Sequence, residues 1–199
     1  MARTRSGRLR VVAGRAGGRR LESLPGEATR PTTERVREAV YSSLGSDVVG
    51  ASVLDLYTGT GALAIEALSR GAARAVLVDA DRDAAELSRR NLAATDFDHV
   101  GRVVEATVAS FLEPPPPPEA PFTLVTCDPP YAAPDAEIEM VLAALDSPGW
   151  LAPDAFVFVE RGVHTPVEPI PPGWQLRFAR AYGDTLVTLL TAGNRDPAT

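Results

Sequence analysis

The sequence predicts an α/β fold, doubly wound, with a mostly parallel seven-stranded sheet, a terminal antiparallel hairpin and a small N-terminal β-hairpin extension. Three observations carry this. Short apolar runs without helical spacing alternate with helix-patterned stretches from Val53 to Val159, the pattern of βα units around a parallel sheet. The first of these runs ends at Thr58-Gly59-Thr60-Gly61 and passes directly into the helical stretch from Ala62, a buried strand, glycine turn and helix in sequence. The last two runs, Trp174 to Tyr182 and Thr185 to Leu190, meet at Gly183-Asp184, a connection short enough to make them antiparallel.

Composition agrees with one domain. A chain of 199 residues buries a substantial core with room for a small appendage, and a 45% hydrophobic share is that of a globular protein. No apolar run reaches about 20 residues, so no membrane-spanning helix is expected. The basic N-terminus lacks the apolar stretch of a secretory signal. Cys127 is the single cysteine and has no partner for a disulfide, which points to the cytoplasm. His99 and His164 have no metal-ligand spacing with each other or with Cys127, so no metal is expected.

The elements follow in order. Residues 1–28 read as a basic extension, 29–192 as the main domain and 193–199 as a flexible tail. In the extension, Leu9 to Ala13 and Arg19 to Leu24 read as two short strands joined through Gly14 and Gly17-Gly18. Residues 1–40 carry ten arginines against Glu22, Glu27, Glu34 and Glu38, although the whole chain has a net charge of −6. A basic arm on an acidic body is the electrostatic footprint of a polyanion binder. Arg8, Arg10, Arg19, Arg20, Arg30, Arg35 and Arg37, with Thr32, are the candidate nucleic-acid contacts. A helix opens after Pro31 with Thr32 or Thr33 as cap. Val36, Val40 and Leu44 give it an apolar stripe that leaves Arg35 and Arg37 free, and Gly45 closes it. Further strands are expected at Arg74 to Asp79, from Val103, at Phe122 to Cys127 and at Ala155 to Val159. Helices are expected at Asp81 to Ala94, through Phe111, and at Ala136 to Leu145, while the five prolines 114–118 read as a stiff surface spacer.

Two stretches carry chemistry. Gly59 and Gly61 let backbone approach a ligand closely, and the helix behind them aims free N–H groups at it. Asp55, near the carboxyl end of the strand, suits a cationic or amino-bearing partner. Asp79, 18 residues after Gly61, suits the hydroxyls of a ribose, and Asp81 competes for that role. Directly after the fourth strand stands Asp128-Pro129-Pro130-Tyr131. Its two prolines fix the backbone and leave the Pro129 carbonyl as an acceptor. With the Asp128 carboxylate it offers two acceptors to an exocyclic base amine, and Tyr131 offers a face on which a flipped base stacks. Cys127 as a nucleophile is the weaker alternative, since a buried cysteine usually acts as a small hydrophobe.

Asp55-x-x-x-Gly59-x-Gly61 with Asp79 resembles the Rossmann-like class I S-adenosylmethionine methyltransferases, and Asp-Pro-Pro-Tyr resembles their amino-methylating branch. Three further stretches resemble the RsmD family over nearly the whole chain: Arg30 to Glu38, Gly59 to Ala72, and Tyr182-Gly183-Asp184-Thr185. The resemblance implies methyl transfer to N2 of one guanine in bacterial 16S ribosomal RNA, within an assembling 30S subunit, by a cytoplasmic monomer. It implies cofactor contacts at Asp55, Tyr57, Thr58, Gly59, Gly61, Asp79, Ala80, Thr107 and Val108, and chemistry at Asp128, Pro129, Pro130 and Tyr131. Thr107 stands where the family usually has Asp or Asn, so adenine contacts are expected from backbone and from neighbours such as Val108. Two other functions compete: an adenine-N6 methyltransferase on DNA or RNA with the same amine chemistry, and a non-catalytic RNA-binding protein. The intact Asp128–Tyr131 stretch disfavours the second, and the start of the 30–38 helix disfavours the first.

Overall fold

The computed structural model describes residues 9–23, 31–113, 115–165 and 169–193, apart from the side chains of 31–33. Seven strands form one sheet: β1 (Ser52–Leu56), β2 (Arg74–Asp79), β3 (Gly101–Glu105), β4 (Phe122–Cys127), β5 (Leu151–Gly162), β6 (Gln175–Tyr182) and β7 (Thr185–Thr191). Five helices connect or precede them: α1 (Pro31–Leu44), α2 (Ala62–Ser69), α3 (Arg82–Ala94), α4 (Val108–Leu112) and α5 (Asp135–Leu145). Spatial order is β3-β2-β1-β4-β5-β7-β6. The first five strands are mutually parallel, and β7 runs antiparallel between β5 and β6.

Strand order reverses between β1 and β4, and open sheets of this kind form their ligand crevice at that point. Leu56 pairs with Cys127 in the β1–β4 register, so the glycine turn after β1 and the Asp-Pro-Pro-Tyr stretch after β4 emerge side by side. Alternation along β1 divides the core. Leu54 and Leu56 face the layer of α4 and α5 with Val125, Cys127, Val141 and Val157. Val53 faces the layer of α1 and α2 with Val40, Ile65, Leu124 and Phe158. Each β1 residue is buried on one face or the other, which is why the run shows no apolar–polar alternation.

The N-terminal hairpin is present in short form: Arg10 bridges Arg20 antiparallel, flanked by the Val11 N–H on the Arg19 carbonyl at 3.0 Å and the Leu21 N–H on the Leu9 carbonyl at 2.9 Å. It packs on the body, with Leu9, Val11, Ala16 and Leu21 buried in the α1–α2 layer. Two acceptors on the helices replace ladder partners. Glu66, wholly buried, accepts from the Val12 and Ala13 N–H groups at 2.7 and 3.1 Å, and Asn91 accepts from the Glu22 N–H at 2.8 Å. The first helix begins at Pro31, ahead of the threonines expected to cap it. The fifth strand is longer than expected because it starts before a positive-φ residue, Asp154, and continues to Gly162.

Candidate active site

Backbone at the end of β1 turns sharply. Tyr57, Gly59 and Gly61 have φ of 59°, 53° and 77°, a left-handed conformation that a side chain disfavours. The strained turn is anchored from below by Asp55. Asp55 is fully buried; it accepts from the Thr58 hydroxyl at 2.5 Å, the Thr126 hydroxyl at 2.6 Å and the Ala64 N–H at 3.3 Å. Burial lifts its pKa to about 6, held back by those three donors and raised further by nearby Asp79. Its oxygens face protein donors, and through them the residue shapes the turn.

The turn is also held from α3. Ser88 donates to the Gly59 carbonyl and Asn91 to the Thr60 carbonyl, each at 2.8 Å. Asp79, half-buried at the end of β2, accepts from the Gly59 N–H at 2.8 Å and the Asp81 N–H at 2.9 Å. Asp81 instead caps α3, accepting from the Asp83 and Ala84 N–H groups at 2.8 and 3.0 Å. The two acids thus differ in place: Asp79 sits against the glycine turn, and Asp81 serves its own helix. Ala80 is exposed between them. Next along this edge, Thr107 caps α4 by accepting from Ser110 N–H at 3.1 Å. Val108 is buried in the α4–α5 layer.

Across the switch point, the Asp128 N–H reaches the Leu56 carbonyl at 3.4 Å. Asp128 and Pro130 are exposed and Pro129 is buried. Among the described residues no donor occupies the Pro129 carbonyl. Tyr131 is 55% exposed and its hydroxyl lies 2.9 Å from the Thr185 hydroxyl. Behind this stretch, the Tyr57 hydroxyl donates to Glu137 at 2.6 Å, and burial with that bond pushes its pKa far up. Arg161, buried at the end of β5, donates to Asp135 at 2.6 Å where α5 begins. Cys127 is buried, and burial with the neighbouring Asp128 and Asp55 charges drives its thiol well above the usual range. A thiol so held is a poor nucleophile.

The arginines divide. Arg20 and Arg35 are exposed; Arg10 pairs with Glu34 at 3.4 Å and Arg19 with Asp96 at 2.6 Å on the surface. Arg37 is corrected: it is buried, donates to the Arg10 carbonyl at 2.9 Å, and is not available to phosphate. Burial lowers its pKa, opposed by Glu66 and Glu34. Arg8, Arg30 and the Thr32 side chain lie outside the described residues.

Sequence reasoning missed Glu66, Asn91, Thr126, Arg161 and Thr185 as parts of this edge. Two signals were available: a carboxylate inside the apolar pattern of α2 for Glu66, and the Tyr182-Gly183-Asp184-Thr185 stretch for Thr185.

Comparison with known proteins gives a consistent result. Residues 9–191 match the family described as Conserved hypothetical protein 95. The chain is 35% identical over 184 residues to Ribosomal RNA small subunit methyltransferase D of Escherichia coli (strain K12), covering 92% of this chain and 90% of that one. It is 31% identical over 178 residues to the protein of the same name from Haemophilus influenzae, covering 89% and 90%. The solved structure of the Escherichia coli protein yhhF superposes with a TM-score of 0.81 at 34% identity, covering 95% of this chain and 100% of that one.

Proposed function

The chain belongs to the Conserved hypothetical protein 95 family, the RsmD family that its motifs resemble, and on that premise we propose that it methylates N2 of a guanine in 16S ribosomal RNA. The reading includes S-adenosylmethionine as methyl donor and an assembling 30S particle, met by a cytoplasmic monomer, as the substrate. One observation carries it: the Leu56–Cys127 register brings the glycine turn and Asp128-Pro129-Pro130-Tyr131 to one sheet edge.

The edge fits the cofactor. Nothing lies within 4 Å of where a Gly59 side chain would start, so backbone is open to close approach. Asp79 stands beside that turn to accept ribose hydroxyls, and Thr107 and Val108 border the place for the adenine. S-adenosylmethionine supplies a methyl group on a positively charged sulfur, already a good leaving group. The protein's part is to hold the acceptor. Asp128 and the Pro129 carbonyl accept the two amine N–H bonds, which draws the nitrogen lone pair out of the ring system and toward the methyl. Tyr131 stacks on the base and fixes its plane. No strong base is required, since the amine loses its proton to solvent after transfer. Positioning and electrostatics carry the rate.

The test has two parts. Mass spectrometry of 16S RNA from a deletion strain should show one guanine lacking an N2 methyl group; an adenine lacking N6 methyl would favour the other amine chemistry. Single-turnover methylation by Asp128→Ala should fall by about 10²–10³, by analogy with losing one of two transition-state partners, with cofactor affinity unchanged. Near-normal rates in Asp128→Ala would overturn the mechanism.

A further inference from the structure

We propose that Thr185, at the β6–β7 turn, is a positioning residue for Tyr131, and that the Tyr182-Gly183-Asp184-Thr185 turn belongs to the substrate site through it. The inference rests on the reading of Tyr131 as a stacking platform for the target base.

Tyr131 sits on a connection with more than half its surface exposed. An exposed aromatic side chain ordinarily samples several staggered rotamers, and a ring that samples several has no fixed plane for a base. Here the far end of the ring is held. Its hydroxyl lies 2.9 Å from the hydroxyl of Thr185, which is itself only 3% exposed and therefore a fixed point. The near side runs past Gly162. Gly162 is the register partner of Thr185 on β5, and a side-chain carbon placed there would stand 3.7 Å from Cδ1 and 3.9 Å from Cε1 of Tyr131. The ring therefore lies against the β5–β7 edge at a place where β5 has no side chain.

The turn that carries Thr185 is fastened in the same place. The Asp184 carbonyl accepts from the Val163 N–H at 2.9 Å, tying the β6–β7 turn to the residues that follow β5. Gly183 has a φ of 62°, which permits the tight reversal that puts Thr185 at the first position of β7. The downstream end of the Asp128–Asp135 connection is held to the same strand by Arg161 on Asp135. A segment bearing both the amine acceptors and the stacking ring is thus pinned at two points on β5 and β7, neither of which carries the glycine turn.

The consequence is a split between binding and rate. Loss of the Thr185 hydroxyl leaves the cofactor turn untouched and frees the ring, so methyl transfer should slow while cofactor affinity stays the same. A mutant cycle reads this. Thr185→Val and Tyr131→Phe each remove one partner of the same hydrogen bond. Each should lower the single-turnover rate on 16S RNA by about 3–10-fold, the span of one net hydrogen bond. The double variant should be no slower than either single, because both changes break one interaction. Thr185→Ser should restore the rate. Additive defects, or wild-type rates in Thr185→Val, would overturn the proposal; a merely structural role for Thr185 gives additivity.

A second measurement reads the ring without RNA or activity. Protein labelled with 3-fluorotyrosine should show a fluorine resonance that is absent in Tyr131→Phe. In Thr185→Val that resonance should move toward the position of a solvated tyrosine, and in Thr185→Ser it should stay. An unmoved resonance refutes the clamp. A moved resonance in a protein that methylates no RNA retains the clamp and discards the functional reading.

Discussion

Asp55 is a fully buried carboxylate, and its substitution gives a signal whose sign and size are both fixed in advance. Its pKa stands at about 6 against an ordinary 3.8. The folded protein therefore holds that proton more tightly than the unfolded chain does. Folding gains from it fully below pH 4 and loses the gain as pH rises through 6. Two pKa units correspond to about 3 kcal/mol, and about 1.4 kcal/mol of that falls between pH 5 and 8. Asp55→Asn removes the titration. It also replaces two acceptor oxygens by one, leaving Thr58 or Thr126 to turn its hydroxyl around, an offset of about 1 kcal/mol that does not vary with pH. Urea unfolding of both proteins at pH 5, 6, 7 and 8 isolates the effect, because every other carboxylate is shared and cancels. The wild-type midpoint should fall relative to the variant by about 0.5–1 M across that range. A difference that stays flat with pH would refute the buried, ionised anchor.

Two further predictions concern the cofactor edge and the arm. Asp79→Ala should weaken S-adenosylmethionine binding by about 1–3 kcal/mol in calorimetry. Asp81→Ala should lose about 0.5–2 kcal/mol of stability as a missing cap and leave cofactor affinity alone; the opposite pattern would exchange their roles. For the arm, replacing exposed Arg20 and Arg35 by alanine should flatten the log–log salt dependence of RNA binding by about 0.7–0.9 for each phosphate that these arginines neutralise. Arg37→Ala should instead lower stability, because its guanidinium is buried against the Arg10 carbonyl; an unchanged melting temperature in that variant would contradict its placement.

The central parallel strands were legible because β1, β2 and β4 are buried on both faces over most of their length, so runs such as Val53 to Leu56 stand out without any partner being known. The glycine turn and the Asp-Pro-Pro-Tyr stretch were legible because backbone demands restrict residue choice so strongly there. What escaped depends on partners distant in the chain. The stripe Val36, Val40, Leu44 was correct as far as it went, but the buried face is wider and takes in Arg37 and Tyr41. The Arg10 carbonyl, 27 residues away, gives one Arg37 nitrogen a partner. Likewise Tyr131 and Thr185 are 54 residues apart, and nothing local to either announces the other.

The same distance effect changes how the basic arm must be tested. Counted along the chain, ten arginines before residue 40 suggest a separable polyanion-binding extension. In the fold, the arm and the cofactor turn share supports. Asn91 bonds both backbone groups of Glu22 in the arm and the carbonyl of Thr60 in the turn. Glu66, on the helix that starts at the turn, takes the N–H groups of Val12 and Ala13. Removing the arm would strip Leu9, Val11 and Leu21 from the core and leave the buried Glu66 carboxylate with Arg70 as its remaining hydrogen-bond donor among the described residues. Cofactor affinity would then fall for reasons unrelated to RNA. Only point substitutions at exposed arginines separate charge from scaffold. The coupling has one sign, set by Asn91: drawing Glu22 off the body pulls on the side chain that also supports the Thr60 carbonyl, so a ligand that displaced the arm would loosen the glycine turn.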